Sequence, residues 1–184
     1  MNTLKRNTSK QLLWISMISM SMFFAGITSA VIVRSAENGW STINLPEWFL
    51  YSAFVMIISS ISLVIAKIKV KKGESPTPYI LFTLILGILF LRLQFLGWGQ
   101  LVNEGILFTG PTSRPAGSFL YAVTLMHLIH VVGGIVSLLV TTIKSFQSKY
   151  TKENYLGIEL TSIYWHYLDV LWIYLFFFLM FSLK

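Results

Sequence analysis

Four polar residues fall on one stripe of an otherwise apolar C-terminal segment. Glu159, Ser162, His166 and Asp169 recur at the spacing of a single helix face. The chain then continues through apolar and aromatic residues at positions 173–181, so the segment is predicted to lie in a membrane. Ionisable side chains are costly in lipid and usually face a protein interior or a water-filled cavity there. One side of this helix is therefore predicted to contact protein.

A second set of polar residues lies on the preceding apolar segment. His127, His130 and Gly134 share a face at helical spacing, and a small residue there lets another helix approach closely. Successive spanning helices are antiparallel, so His127 should lie level with Asp169, and His130 level with His166. We therefore predict a polar seam between the fourth and fifth segments. Its members are His127, His130, Glu159, His166, Asp169 and Trp172.

The seam has three functional interpretations and one structural interpretation. It is a proton relay, a haem site with two histidine ligands on facing helices, or a cleft for a lipid headgroup. Alternatively, its polar groups hydrogen-bond to each other and hold two helices together. Catalytic motifs such as a nucleophile elbow, a phosphate loop or HExxH are absent from the sequence, so no catalytic residues are assigned.

Arg92 is a further polar residue inside an apolar segment, about nine residues from the outer end of that segment. An arginine at this depth snorkels to the interface or pairs with an acid or a carbonyl group. Asp169 is a candidate partner by depth, and an acid on another subunit is a second candidate.

Composition places these residues in an integral membrane protein. The 184 residues are 55% hydrophobic and 11% charged, whereas an ordinary soluble domain has roughly 25% charged residues. The absence of cysteine excludes disulfides, iron–sulfur clusters and thiolate metal sites. The net charge of +7 is concentrated in short loops, which is typical of membrane topology rather than of nucleic-acid binding.

The apolar residues predict an all-α fold, a single membrane domain (1–184) of five transmembrane helices. The predicted helices span about 12–33, 48–66, 79–101, 116–142 and 158–181. Lysine and arginine are concentrated in the N-terminal tail and in the second and fourth loops. The positive-inside rule therefore predicts a cytoplasmic N-terminus and an external C-terminus.

Two motifs resemble subunit III of the haem–copper oxidases. One runs from Arg114 to Gly134 and contains the paired histidines His127 and His130. The other, ELTSIYWHYLDVLW, runs from Glu159 to Trp172. The resemblance extends over essentially the whole chain. Two positions depart from the family pattern, because Met20 and Gly97 stand where glutamates are common.

The resemblance implies a five-helix, non-catalytic subunit of a respiratory terminal oxidase in the bacterial plasma membrane. Such a subunit binds no metal or haem of its own, since haem and copper belong to its partners. It stabilises the catalytic subunit, supports proton uptake and binds phospholipid. The implied partners are oxidase subunits I and II, and a larger respiratory supercomplex is a further one. Two alternatives stay open, an accessory subunit of a nitric oxide reductase and an independent b-haem protein using His127 or His130 with His166.

Overall fold

The prediction of an all-α bundle with five membrane-spanning helices is confirmed. The computed structural model describes residues 3–110 and 113–184, so positions 1, 2, 111 and 112 of the predicted domain lie outside the described residues. Each helix is long and apolar enough to cross a membrane. The helices are α1 (Thr3–Ser35), α2 (Glu47–Lys72), α3 (Thr77–Asn103), α4 (Pro115–Phe146) and α5 (Leu156–Ser182).

All five helices extend beyond the apolar segments that predicted them. The shortest has 26 residues, which is about 39 Å at the α-helical rise and longer than the roughly 30 Å hydrocarbon core. Their ends have recognisable local causes. Gly73 caps α2 in the left-handed conformation, with φ of 83° and its N–H directed to the last carbonyls of the helix. Pro115 begins α4 at a position where no amide hydrogen is needed.

Four of the helices form a closed ring. α2 packs extensively on α3, α3 on α4, α4 on α5, and α5 on α2. α1 lies outside this ring against α4 and α5. Along the part of the chain that the structure describes, α1 and α2 do not contact each other. A strip of α5 therefore stays open between them, and we call it the α5 strip. It carries Glu159, His166, Val170, Phe177 and Phe181.

The two ends of the bundle differ in how they are closed. At the end that holds the C-terminus, Ile43 N–H donates to the Leu183 carbonyl at 2.8 Å, and the Trp40 indole donates to the Ser182 carbonyl. At the other end, which we call the lysine-rich end, Thr77 and Ser145 hydroxyls bond at 2.8 Å and join α3 to α4. These contacts set the axial register of helices that pack mainly through apolar side chains.

Candidate functional site

Two buried tryptophans of α5 donate hydrogen bonds to two serines of α2. Trp165 Nε1 lies 2.9 Å from Ser59 Oγ, and Trp172 Nε1 lies 3.1 Å from Ser52 Oγ. Both pairs are almost completely buried. Donors and acceptors alike are seven residues apart, which is two helical turns, so the same contact repeats along the interface. Each bond satisfies an indole N–H that is buried away from solvent, and together the two bonds hold α5 against α2.

Ser52 joins three helices at one hydroxyl. It accepts a hydrogen bond from Gln94 Nε2 of α3 at 3.0 Å as well as the bond from Trp172 of α5. The hydroxyl itself donates to the Phe49 carbonyl of its own helix at 2.7 Å. Loss of this one oxygen would leave two buried donors without their acceptor.

Glycines make room for the Trp165 indole in the centre of the ring. A Cβ built on Gly87 of α3 would lie 2.8 Å from Trp165 Cη2. One built on Gly134 of α4 would lie 3.1 Å from the same indole and 2.9 Å from Leu168 Cδ1. Real Cβ atoms essentially never lie closer than 3.0 Å to another side chain, so an alanine at either position would force Trp165 or Leu168 to shift. Trp165 thus fills a space shared by α2, α3 and α4.

His127 lies in a box of aromatic rings. Its ring stacks on Trp172 at a centroid distance of 5.0 Å, and it meets Phe24 of α1 and Phe90 of α3 edge to face. The side chain is 1% exposed, and neither ring nitrogen has a hydrogen-bond partner among the described residues. Its neighbour His130 is half-buried and bonds through Nδ1 to the Met126 carbonyl one turn back. Both histidines of α4 therefore serve packing contacts.

His166 of α5 bridges two serines. Its Nδ1 bonds to the Ser60 hydroxyl of α2, and its Nε2 lies 3.0 Å from Ser162 Oγ of its own helix. Asp169, three residues further along, is 3% exposed. It accepts no hydrogen bond from the residues described, although Ser60 lies near it. This part of α5 therefore faces α2, beside the α5 strip.

Glu159 forms an ion cluster with α1 at the lysine-rich end. Its two carboxylate oxygens lie 3.0 Å from Arg6 Nη2 and 2.6 Å from Lys10 Nζ. The Glu159 side chain is 13% exposed, whereas the two cations are more open. A carboxylate pairing with residues one helical turn apart fixes the height of α1 against α5.

The predicted seam between α4 and α5 is corrected by these contacts. One pair of its members meets across α4 and α5, since His127 stacks on Trp172. The others lie elsewhere: His130 lies against Phe24 of α1, His166 and Asp169 face α2, and Glu159 faces α1. The hydrogen bonds between side chains of α4 and α5 come instead from hydroxyl groups. Thr161 Oγ1 lies 2.8 Å from Ser137 Oγ and 2.9 Å from Thr141 Oγ1. Most of the predicted pairs do not form because side chains at similar levels on two helices point to different neighbours.

Asp169, one of the two candidate partners of Arg92, does not pair with it. Arg92 is exposed on the outer side of α3, whereas Asp169 is buried on α5 beside Ser60 of α2. The structure contains no carboxylate within ion-pair distance of Arg92 in the ranges 3–110 and 113–184. Its charge is therefore presented to whatever surrounds the bundle.

The residues present do not fit a haem held by two histidines. His127 has Trp172 flat against one face and phenylalanines at its edges, which leaves no space for a macrocycle. Both ring nitrogens of His166 already bond to serine hydroxyls. Within the described ranges, no group of three or more histidine, cysteine or acidic side chains is arranged to hold a metal ion.

The contacts between the serines of α2 and the tryptophans of α5 have a signal in the sequence. Ser52 and Ser59 repeat at seven residues in an otherwise apolar helix, the same interval as Trp165 and Trp172. Matching intervals on two antiparallel helices predict paired contacts. Arg6 and Lys10 belong to the basic N-terminal tail that predicts the topology, and nothing in their spacing identifies Glu159 as their partner.

The fold and the contacts define a multi-pass membrane protein whose internal polar groups join its helices. The family model for cytochrome c oxidase subunit III matches residues 8–182. The chain therefore belongs to the cytochrome c oxidase subunit III family, as the two motifs predicted.

Curated relatives carry two kinds of oxidase name. The chain is 31% identical to the probable cytochrome c oxidase subunit 3 of Nocardia farcinica, over 90% of this chain and 82% of that protein. It is 29% identical to the protein of the same name in Mycobacterium leprae, over 89% of this chain and 81% of that protein. It is also 27% identical to the cytochrome bo(3) ubiquinol oxidase subunit 3 of Buchnera aphidicola, over 91% of this chain and 89% of that protein.

Proposed function

We propose that this chain is the non-catalytic third subunit of a respiratory terminal oxidase, whose partner subunit reduces oxygen to water and pumps protons. The observation that carries the proposal is the set of hydrogen bonds, two buried and one partly buried, that join Trp165, Trp172 and His166 to serines of α2. These are residues of the motif that resembles the family, and they hold helices together rather than surround a substrate. The family match over residues 8–182 supports the same function.

We propose subunits I and II of the oxidase as the partners, with a larger respiratory supercomplex as a further one, in the bacterial plasma membrane. The lysine-rich end would face the cytoplasm and the C-terminus would lie outside. The distribution of basic residues over the loops supports this orientation. The chain itself would bind no haem or metal. Its role would be to stabilise the catalytic subunit and to support proton uptake.

We further propose that the α5 strip holds phospholipid. The strip is open between α1 and α2 and is mainly apolar, with Val170 67% exposed and Phe181 70% exposed. A pocket of about 380 Å³ opens beside it between α1 and α5, lined in part by Phe24, Tyr167 and Tyr174. The cations Arg6 and Lys10 lie near one end of the same strip, where a phosphate group would be favoured.

The proposal is tested with oxidase prepared from cells that lack this chain. We expect the remaining complex to keep its haem absorbance and its initial rate of oxygen consumption, but to lose activity sooner during turnover. The matched control is the same cells with the chain restored. Loss of a haem band from an otherwise assembled complex would contradict a non-catalytic role.

A further inference from the structure

Arg92 lies close to the middle of α3, a helix long and apolar enough to cross a membrane. The midpoint of α3 (Thr77–Asn103) is position 90, so Arg92 is displaced from it by two residues, or about 3 Å. With a hydrocarbon core of roughly 30 Å, its Cα is about 12 Å from the nearer edge. Snorkelling places arginine head groups at the interface when the residue is near a helix end. Arg92 is too deep for that explanation.

No acid of this chain is placed to neutralise Arg92. The sequence has seven acidic residues. Five of them lie in loops or at helix ends, namely Glu37, Glu47, Glu74, Glu104 and Glu153. Glu159 is paired with α1. Asp169 is 3% exposed on α5, beside Ser60 of α2, whereas Arg92 is exposed on the outer side of α3. The charge must therefore be met from outside the chain.

The surface around Arg92 is continuous and apolar. We call it the Arg92 face, and it consists of Ile85, Ile88, Leu89, Arg92, Phe95 and Leu96. These residues recur at helical spacing, and each of the five apolar ones is at least 40% exposed. Phe95 is the most open of them at 58%. An apolar surface with one central charge fits another transmembrane helix that carries a complementary charge.

From this geometry we infer that the Arg92 face docks a transmembrane helix of a neighbouring oxidase subunit, and that an aspartate or glutamate of that helix pairs with Arg92. The inference rests on the proposed function, because it requires the chain to be part of an oxidase complex. A partner helix without an acid at that depth would leave the Arg92 charge unpaired in the membrane interior. The Arg92 face should therefore bind selectively to a helix that carries such an acid.

The first test places a photoreactive probe beside Arg92 without changing it. The chain has no cysteine, so Leu89→Cys and Leu96→Cys each introduce a single thiol one turn from Arg92. The full chain is expressed in its native membranes, labelled with benzophenone maleimide, irradiated, and purified with its partners for mass spectrometry. We expect a cross-link to one transmembrane segment of another subunit, with an Asp or Glu within about one helical turn of the attachment point.

The outcomes separate this inference from the proposed function. If the chain co-purifies with oxidase subunits but the probe is found only on phospholipid, or on a segment without an acid nearby, the inference is overturned and the proposed function stands. If the chain co-purifies with no oxidase subunit, both are overturned.

The second test changes the charge itself. Arg92→Leu is expected to lower the amount of chain recovered in the complex by about tenfold or more, because the partner acid is left unpaired. Arg92→Lys keeps the charge and should retain most of the assembly. Phe95→Leu on the same face is the matched control for a change of surface shape. The thermal stability of the separated full chain should not fall with Arg92→Leu. Normal recovery of the Arg92→Leu chain in the complex would show that Arg92 meets lipid or water instead.

Discussion

Gly134→Ala and Gly133→Ala are neighbouring substitutions for which the structure predicts different effects on stability. A Cβ at Gly134 would lie 2.9 Å from Leu168 Cδ1 and 3.1 Å from the Trp165 indole. A Cβ at Gly133 would meet only the Tyr164 hydroxyl, at an ordinary contact distance of 3.7 Å. Trp165 cannot easily move aside, because its Nε1 is bonded to Ser59 and it also packs against Gly87.

The expected difference in stability between the two variants follows from two opposing effects. Replacing glycine by alanine inside a helix favours the helix by up to about 1 kcal/mol, and both variants gain this equally. Overpacking a filled core costs about 1–3 kcal/mol, and only Gly134→Ala bears this cost. The two variants should therefore differ by about 1–3 kcal/mol. For a chain of this length that is a difference in Tm of roughly 2–12 °C.

The assay is thermal unfolding of both variants in the same mild detergent, followed by size-exclusion recovery after heating. Gly133→Ala should unfold at or above the temperature of the unmodified chain, and Gly134→Ala below Gly133→Ala. A Tm for Gly134→Ala that equals or exceeds the Tm of Gly133→Ala would refute the argument that Trp165 and Leu168 fill the centre of the ring.

Three further predictions concern the bonds between helices and the topology. Ser52→Ala should destabilise the chain by about 1–3 kcal/mol in thermal unfolding, because two buried donors lose their acceptor; Ser35→Ala, at an exposed helix end, should change stability little. Glu159→Gln should lower the free energy of unfolding by only about 0–1 kcal/mol, because the cations that pair with Glu159 are partly exposed. This loss of stability should shrink in high salt, and a large, salt-independent loss would contradict an ion-pair role. In intact cells, a membrane-impermeant maleimide should label Asn38→Cys directly but Lys149→Cys only after permeabilisation, and the reverse pattern would overturn the proposed orientation.

The helices were predictable because membrane insertion imposes a length and a composition on each of them. Five apolar segments predicted five helices, and the observed helices contain those segments. The polar termini of the helices were missed, since interfacial residues can stay helical without being apolar. The motif around Trp165 and His166 was recognised, but its contacts were not.

The contacts were not predictable because spacing along one helix gives depth and not rotation relative to a neighbour. His127 and Asp169 were placed at the same depth, yet His127 stacks on Trp172 and Asp169 lies beside Ser60 of α2. Rotation depends on how bulky side chains meet small ones on all neighbouring helices at once. The Trp165 indole against Gly87 and Gly134 is the example here.

A departure from the family pattern has a simple structural consequence. Gly97 stands where the family commonly has a glutamate, and the ring of Phe49 occupies the space beside it. A Cβ at Gly97 would lie 2.9 Å from Phe49 Cε1. A glutamate could not be accommodated there without moving Phe49, which packs on Trp172. In this chain the position therefore serves close packing of α2 on α3.

The most direct test of the central claim is to tag the full chain at Lys184, purify it from native membranes in mild detergent, and identify the proteins that accompany it by mass spectrometry. The chain should be recovered with the haem–copper catalytic subunit of an oxidase and with its subunit II. Recovery of the chain alone, or with the catalytic subunit of a nitric oxide reductase, would contradict the assignment to a terminal oxidase.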